Sequence, residues 1–157
     1  MYNTTVTVFN LYRSKQLGVS TWYPHVISGC YFNADKAANI EKTGLKNADT
    51  ARLHVPYKEK EGKIFLKGSE GAEVQYLLPK EWDNQTNDMY EKTITFTEGE
   101  DFFFIGEYPE EPINDDVFAS GTTSGFKDYM NKNFDNVFSI TSVGKYQLIP
   151  HFELGGA

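Results

Sequence analysis

The sequence predicts a mainly β fold: a small antiparallel β-barrel or sandwich of about eight short strands, with one amphipathic helix around residues 123–134 and a long loop at 35–49. Three observations carry this. Residues 146–154 alternate at period two, with Tyr146, Leu148, Pro150, Phe152 and Leu154 on one face and Gln147, Ile149, His151 and Glu153 on the other. The 12 Phe and 10 Tyr favour pleated, half-buried surfaces. Only the stretch Ser120 to Phe134 carries a convincing helical face, formed by Phe126, Tyr129, Met130 and Phe134. The 157 residues are expected to form a single domain, long enough to bury roughly two-thirds of the unfolded surface.

The elements follow in order. Val6 to Leu11 is a first strand, and residues 12–20 are a polar connection. Thr21 to Asn33 is a longer strand. Its Trp22, Pro24, Val26, Ser28, Cys30 and Phe32 share a face if the register is unbroken, but Pro24 and Gly29 predict a bent or edge strand. Residues 35–49 have neither strand alternation nor a helical face, and structureless loops of that length are usually functional or disordered. Thr50 to Tyr57 is the clearest strand, with Ala51, Leu53, Val55 and Tyr57 inward and Arg52 and His54 outward. A charged turn follows. Residues 63–78 read as an inserted hairpin around Gly68–Gly71. Residues 79–90 are irregular and anchored by Trp82, and Glu91 to Phe96 is a strand. The unbroken apolar run Phe102–Ile105 predicts a strand covered on both faces, with another subunit a candidate for one cover. An acidic loop at 109–125 leads into the helix, which Thr123 or Ser124 can cap. The closing hairpin is expected to turn at Gly144-Lys145. The expected core includes Val6, Val8, Leu53, Val55, Phe96, Phe102, Phe104, Ile140 and Phe152.

Chemistry is harder to find. The formal charge is −7 and the basic residues are scattered, which argues against binding free nucleic acid. One cysteine, Cys30, excludes an internal disulfide, and its apolar surroundings predict a buried inert thiol. No window approaches about 18 consecutive apolar residues, so no transmembrane helix is expected, and the N-terminal residues lack the pattern of a secretory signal. His25, His54 and His151 are far apart in the chain and read as strand histidines, not a zinc site. No nucleophile elbow or phosphate-binding glycine loop is present. The clusters Glu98/Glu100/Asp101 and Glu110/Glu111/Asp115/Asp116 lack calcium-loop spacing and read as solvated loop charge. Trp22, Trp82 and Tyr90 are candidates for a sugar-binding platform, although each reads more simply as a core anchor. No catalytic residue, cofactor or metal is expected.

The ordered set of segments Val26–Phe32, Asp35–Ile40 with Thr43-Gly44-Leu45 and Ala48-Asp49, Leu53–Tyr57, Ile94–Phe96 with Gly99–Asp101, Gly106-Glu107, Ile140–Val143 and His151–Gly156 resembles the minor capsid and head-closure-like proteins of tailed bacteriophages. The resemblance spans most of the chain and implies a non-enzymatic virion protein. Such proteins are small β-barrels that form rings, usually dodecameric, in the neck. They lie between the portal or adaptor and the tail-terminator or tail proteins, with packaged DNA passing through the lumen. The implied location is the virion neck, after assembly in the host bacterial cytoplasm, with no membrane. The position of loop 35–49 resembles that of a channel-blocking loop, which makes Lys36, Ile40, Lys42, Leu45 and Lys46 candidate contacts to neighbouring subunits or the portal. The hairpin at 63–78 and the acidic segment at 109–125 depart from the family pattern. The rival readings are a tail-terminator or other minor tail or capsid protein and, from another class, a carbohydrate-binding β module, with a hydrolase more distant.

Overall fold

The computed structural model describes residues 2–34 and 51–157. Its strands are β1 (Thr4–Arg13), β2 (Ser20–Ala34), β3 (Ala51–Pro56), β4 (Lys58–Lys60), β5 (Lys63–Lys67), β6 (Glu73–Tyr76), β7 (Thr93–Ile94), β8 (Phe102–Ile105), β9 (Ile113–Asn114), β10 (Val137–Tyr146) and β11 (His151–Gly156). Two helices, α1 (Pro79–Asp83) and α2 (Phe126–Asn133), accompany them. Six strands close into an antiparallel barrel in the order β1-β8-β10-β11-β3-β2, with β2 returning to β1 and β9 added outside β2. Strands β4, β5, β6 and β7 form a second sheet whose last pair is parallel.

Strand β2 closes the barrel because it bends. Its first part pairs with β1 and its last four residues pair with β3. The register slips beside Gly29, which takes φ +71°, a conformation that favours glycine. The slip inverts the side-chain parity. Trp22 packs outward, whereas Ile27, Cys30 and Phe32 join the barrel core. The single face expected for Trp22 through Phe32 is therefore split in two.

The barrel is filled, not hollow. Val6, Val8, Leu53, Val55, Phe103, Ile140, Phe152 and Leu154 are all almost completely buried in one cluster, with Phe96 beside them. The second sheet contributes Leu66, Tyr76 and Ile94 to the same core. Tyr57, Tyr76 and Phe96 surround Phe152, with ring centroids 5.1, 4.6 and 5.2 Å away. Of the expected strand Glu91–Phe96, only Thr93–Ile94 is paired, parallel to β6.

A second apolar cluster lies on the outer wall, where α2 packs Phe126 and Met130 on Phe9, Trp22 and Phe102. This explains the apolar run in β8. Phe103 and Ile105 face the barrel core, and Phe102 and Phe104 face the helix cluster, so the chain itself supplies both covers. Alternation puts Phe104 on the face opposite Phe103, and there it is only half-buried because it lies at the rim of the outer cluster, whereas Phe102 on the same face is fully covered.

The closing hairpin turns later than expected. Gly144 and Lys145 lie inside the ladder, opposite Glu153 and Phe152, and the reversal occupies Gln147–Pro150. Pro150 has no N–H for a ladder and restricts Ile149 before it, so the turn belongs there.

Candidate functional site

The predicted contact residues Lys36, Ile40, Lys42, Leu45 and Lys46 lie outside the described residues. The strands they connect are placed: Ala34 and Ala51 are register partners at one end of the barrel. Strands β1 and β10 both run antiparallel to β8, so the β1–β2 connection and the β10–β11 turn leave together at the opposite end. That end exposes apolar side chains, with Leu17 79% exposed, Leu148 98% and Ile149 72%.

The wall below this tip carries a group that linear spacing conceals. Glu153 on β11 is the register partner of His54 on β3, and His151 lies two residues earlier on the same face of β11. One potential ligand atom from each of the three lies within 4.8 Å of the others. The His54 and His151 rings stack at 5.3 Å with 5° between their planes. Tyr146 stacks on the far side of His151 at 5.0 Å, and Tyr31 meets His54 edge-on at 5.5 Å. His151 Nδ1 lies 2.6 Å from the Ile149 carbonyl oxygen and Nε2 lies 3.0 Å from Glu153 Oε2. Arg52 approaches the other carboxylate oxygen at 3.8 Å. The reading of His54 and His151 as isolated strand histidines thus misses their juxtaposition, which only the β3–β11 register creates. The third histidine, His25, is buried, and burial lowers its pKa to about 4.

Most of the predicted loop charge is structural. Asp101 is buried and accepts hydrogen bonds from the backbone N–H of Leu11 and Thr97 and from Asn10 Nδ2, at 2.9–3.0 Å. Burial raises its pKa to about 7, against the pull of those donors. Glu98 accepts from the Val143 N–H and Glu100 pairs with Arg13. Glu110 accepts from the Val26 N–H and the Ser69 hydroxyl. Asp115 Oδ1 accepts from the Trp22 indole N–H at 2.9 Å and from the Phe126 N–H at 2.8 Å. Asp115 therefore caps α2 in place of Thr123 or Ser124, while Thr123 bonds to the Phe118 carbonyl and Asp128 accepts from the Ser124 N–H. A side chain at Gly125 would meet this carboxylate at 2.9 Å.

The proposed sugar-platform aromatics are inside. Trp22, Trp82 and Tyr90 are at most 3% exposed, Trp82 donates to the Thr93 carbonyl, and Tyr90 donates to the carbonyls of Asp83 and Gln85. Cys30 is buried and its thiol pKa is pushed up to about 12 by burial. Among the described residues no helix is long and apolar enough to cross a membrane.

No curated protein and no solved structure matches the chain. A family of unknown function, DUF6751, matches residues 1–157. The chain, end to end, belongs to that family.

Proposed function

We propose that this protein is a non-enzymatic structural component of a tailed-phage virion, a ring-forming head-closure connector in the neck between portal or adaptor and tail. The observation that carries the reading is the apolar tip. The acidic chain presents Leu148 and Ile149 to solvent at the β10–β11 turn, beside the exposed Tyr146, with Leu17 exposed on the β1–β2 connection at the same end of the barrel. Exposed apolar residues grouped at one end fit a protein–protein contact. The other end is where β2 and β3 terminate at Ala34 and Ala51, so the barrel has two separate ends from which to meet two neighbours. The filled barrel interior means that DNA would pass through the lumen of the ring, not through the barrel. The net charge of −7 suits a lumen that does not retain DNA.

The test pairs assembly with folding. Leu148→Asp combined with Ile149→Asp should leave the melting temperature of the monomer nearly unchanged, because exposed substitutions typically alter stability by about 0.5 kcal/mol or less. It should abolish ring formation and head–tail joining, scored by electron microscopy of virions. Shortening the chain between Ala37 and Ala48 should yield a folded barrel and heads that lose DNA or fail to join tails. Virions lacking the protein at the neck, or normal joining by the tip variant, would overturn the proposal.

A further inference from the structure

We propose that His54, His151 and Glu153 form a binding site for one divalent transition-metal ion of the zinc class on the outer wall of the barrel. The site is built by pairing β3 with β11, which puts three ligand-type side chains on one face of neighbouring strands. Ligands around a tetrahedral zinc ion sit about 2.0–2.2 Å from the metal, hence roughly 3.3 Å from one another. The 3.0 Å between His151 Nε2 and Glu153 Oε2 already matches such a ligand edge. The remaining separations, within 4.8 Å, close on one ion if the half-buried side chains of His54 and Glu153 rotate.

The orientation of His151 suits a ligand. Its Nδ1 lies 2.6 Å from the Ile149 carbonyl oxygen, which can only accept, so the ring donates there and turns Nε2 towards Glu153 Oε2, where a metal ion would take the place of a shared proton. The two imidazoles lie stacked at 5.3 Å, so His54 must turn out of the stack for both rings to point at one ion. Tyr146 flanks His151 and Tyr31 flanks His54. Arg52 engages Oε1 of Glu153 and leaves Oε2 to the site. Two imidazole nitrogens and one carboxylate oxygen select zinc, cobalt, nickel or copper over magnesium or calcium. Three protein ligands leave a position for water.

The test uses the full chain without a polyhistidine tag, stripped with chelator and titrated with ZnCl2 by calorimetry. One zinc per chain should bind, and MgCl2 should give no heat of binding. His54→Ala and His151→Ala should each weaken zinc affinity at least about tenfold, since losing even an outer-shell partner costs that much. Glu153→Gln should weaken it as well. The absence of saturable zinc binding, or unchanged affinity in the His54→Ala/His151→Ala double variant, would overturn the proposal. A measurement on the unaltered chain guards against variants that fail to fold. Zinc should shift the ring resonances of His54 and His151 in NMR spectra and leave those of His25 in place. Undisturbed His54 and His151 signals at saturating zinc would also refute the site.

Discussion

Phe103 and Phe104 are neighbours in sequence and belong to different cores, which makes β8 the sharpest place to test this fold. Phe103 is fully buried, stacked on Phe138 at 5.5 Å and pressed against Gly156, where an added Cβ would lie 3.1 Å from its ring. Truncation to alanine leaves a cavity that the closed barrel cannot collapse to fill, so Phe103→Ala should cost about 3–5 kcal/mol. Phe104 is half-buried against the helix cluster, with Phe134 edge-on at 5.6 Å. Phe104→Ala should cost only about 1–1.5 kcal/mol, roughly half the value for full burial, since surface side chains can close over the gap. At about 2–4 °C per kcal/mol for a chain of this length, the first variant should melt roughly 6–20 °C lower and the second clearly less. Urea unfolding followed by tryptophan fluorescence and circular dichroism gives both costs. The double variant then separates the two cores. Phe103→Ala and Phe104→Ala should add within about 0.5 kcal/mol, whereas Phe103→Ala and Phe138→Ala should couple through their lost stack by about 0.5–1.5 kcal/mol. Equal costs for the two single variants, or coupling between Phe103 and Phe104 as large as that between Phe103 and Phe138, would refute the assignment of β8 to two opposed cores.

Further expectations concern the buried charges and the cap. His25, neutral in the fold with its pKa lowered to about 4, is protonated in the unfolded chain below about pH 6.5, so its contribution to stability falls as pH drops from 6.5 to 4. Asp101, with its pKa raised to about 7, acts oppositely: the folded chain holds the extra proton between about pH 4 and 7, so its contribution grows as pH falls through that window. The two offset each other in the native chain. Asp101→Asn should therefore unmask a loss of stability between pH 6.5 and 4, read as a falling urea midpoint; a level midpoint in that variant contradicts the assignment. Asp115→Ala strands the indole N–H of Trp22 and the N–H of Phe126, and should cost about 1–3 kcal/mol with a shifted tryptophan emission. Gly125→Ala should destabilise through the same carboxylate, which its Cβ would meet at 2.9 Å; a melting temperature equal to the native one would remove Asp115 from the cap.

Much of the fold was legible in the sequence because its signals are local. Alternation in Ala51–Tyr57, the aromatic content and the lone helical face at Phe126–Phe134 report which way neighbouring side chains point, and that suffices for a mainly β fold with one substantial helix; the alternation read through Tyr146–Leu154 instead spans the turn at 147–150, so its single face does not exist. The apolar run Phe102–Ile105 likewise announced a strand covered on both faces, though not that α2 would be the second cover. What tertiary structure alone decided is register and partnership. The slip at Gly29 inverts the parity of β2, which no periodicity within that strand can reveal. Asp115 caps α2 and bonds Trp22 only because β9 lies beside β2. His54 and His151, nearly a hundred residues apart in the chain, meet only once β11 has paired with β3. Linear spacing measures distance along the chain, whereas such a site depends on distance across hydrogen-bonded strands, which closure of the barrel sets.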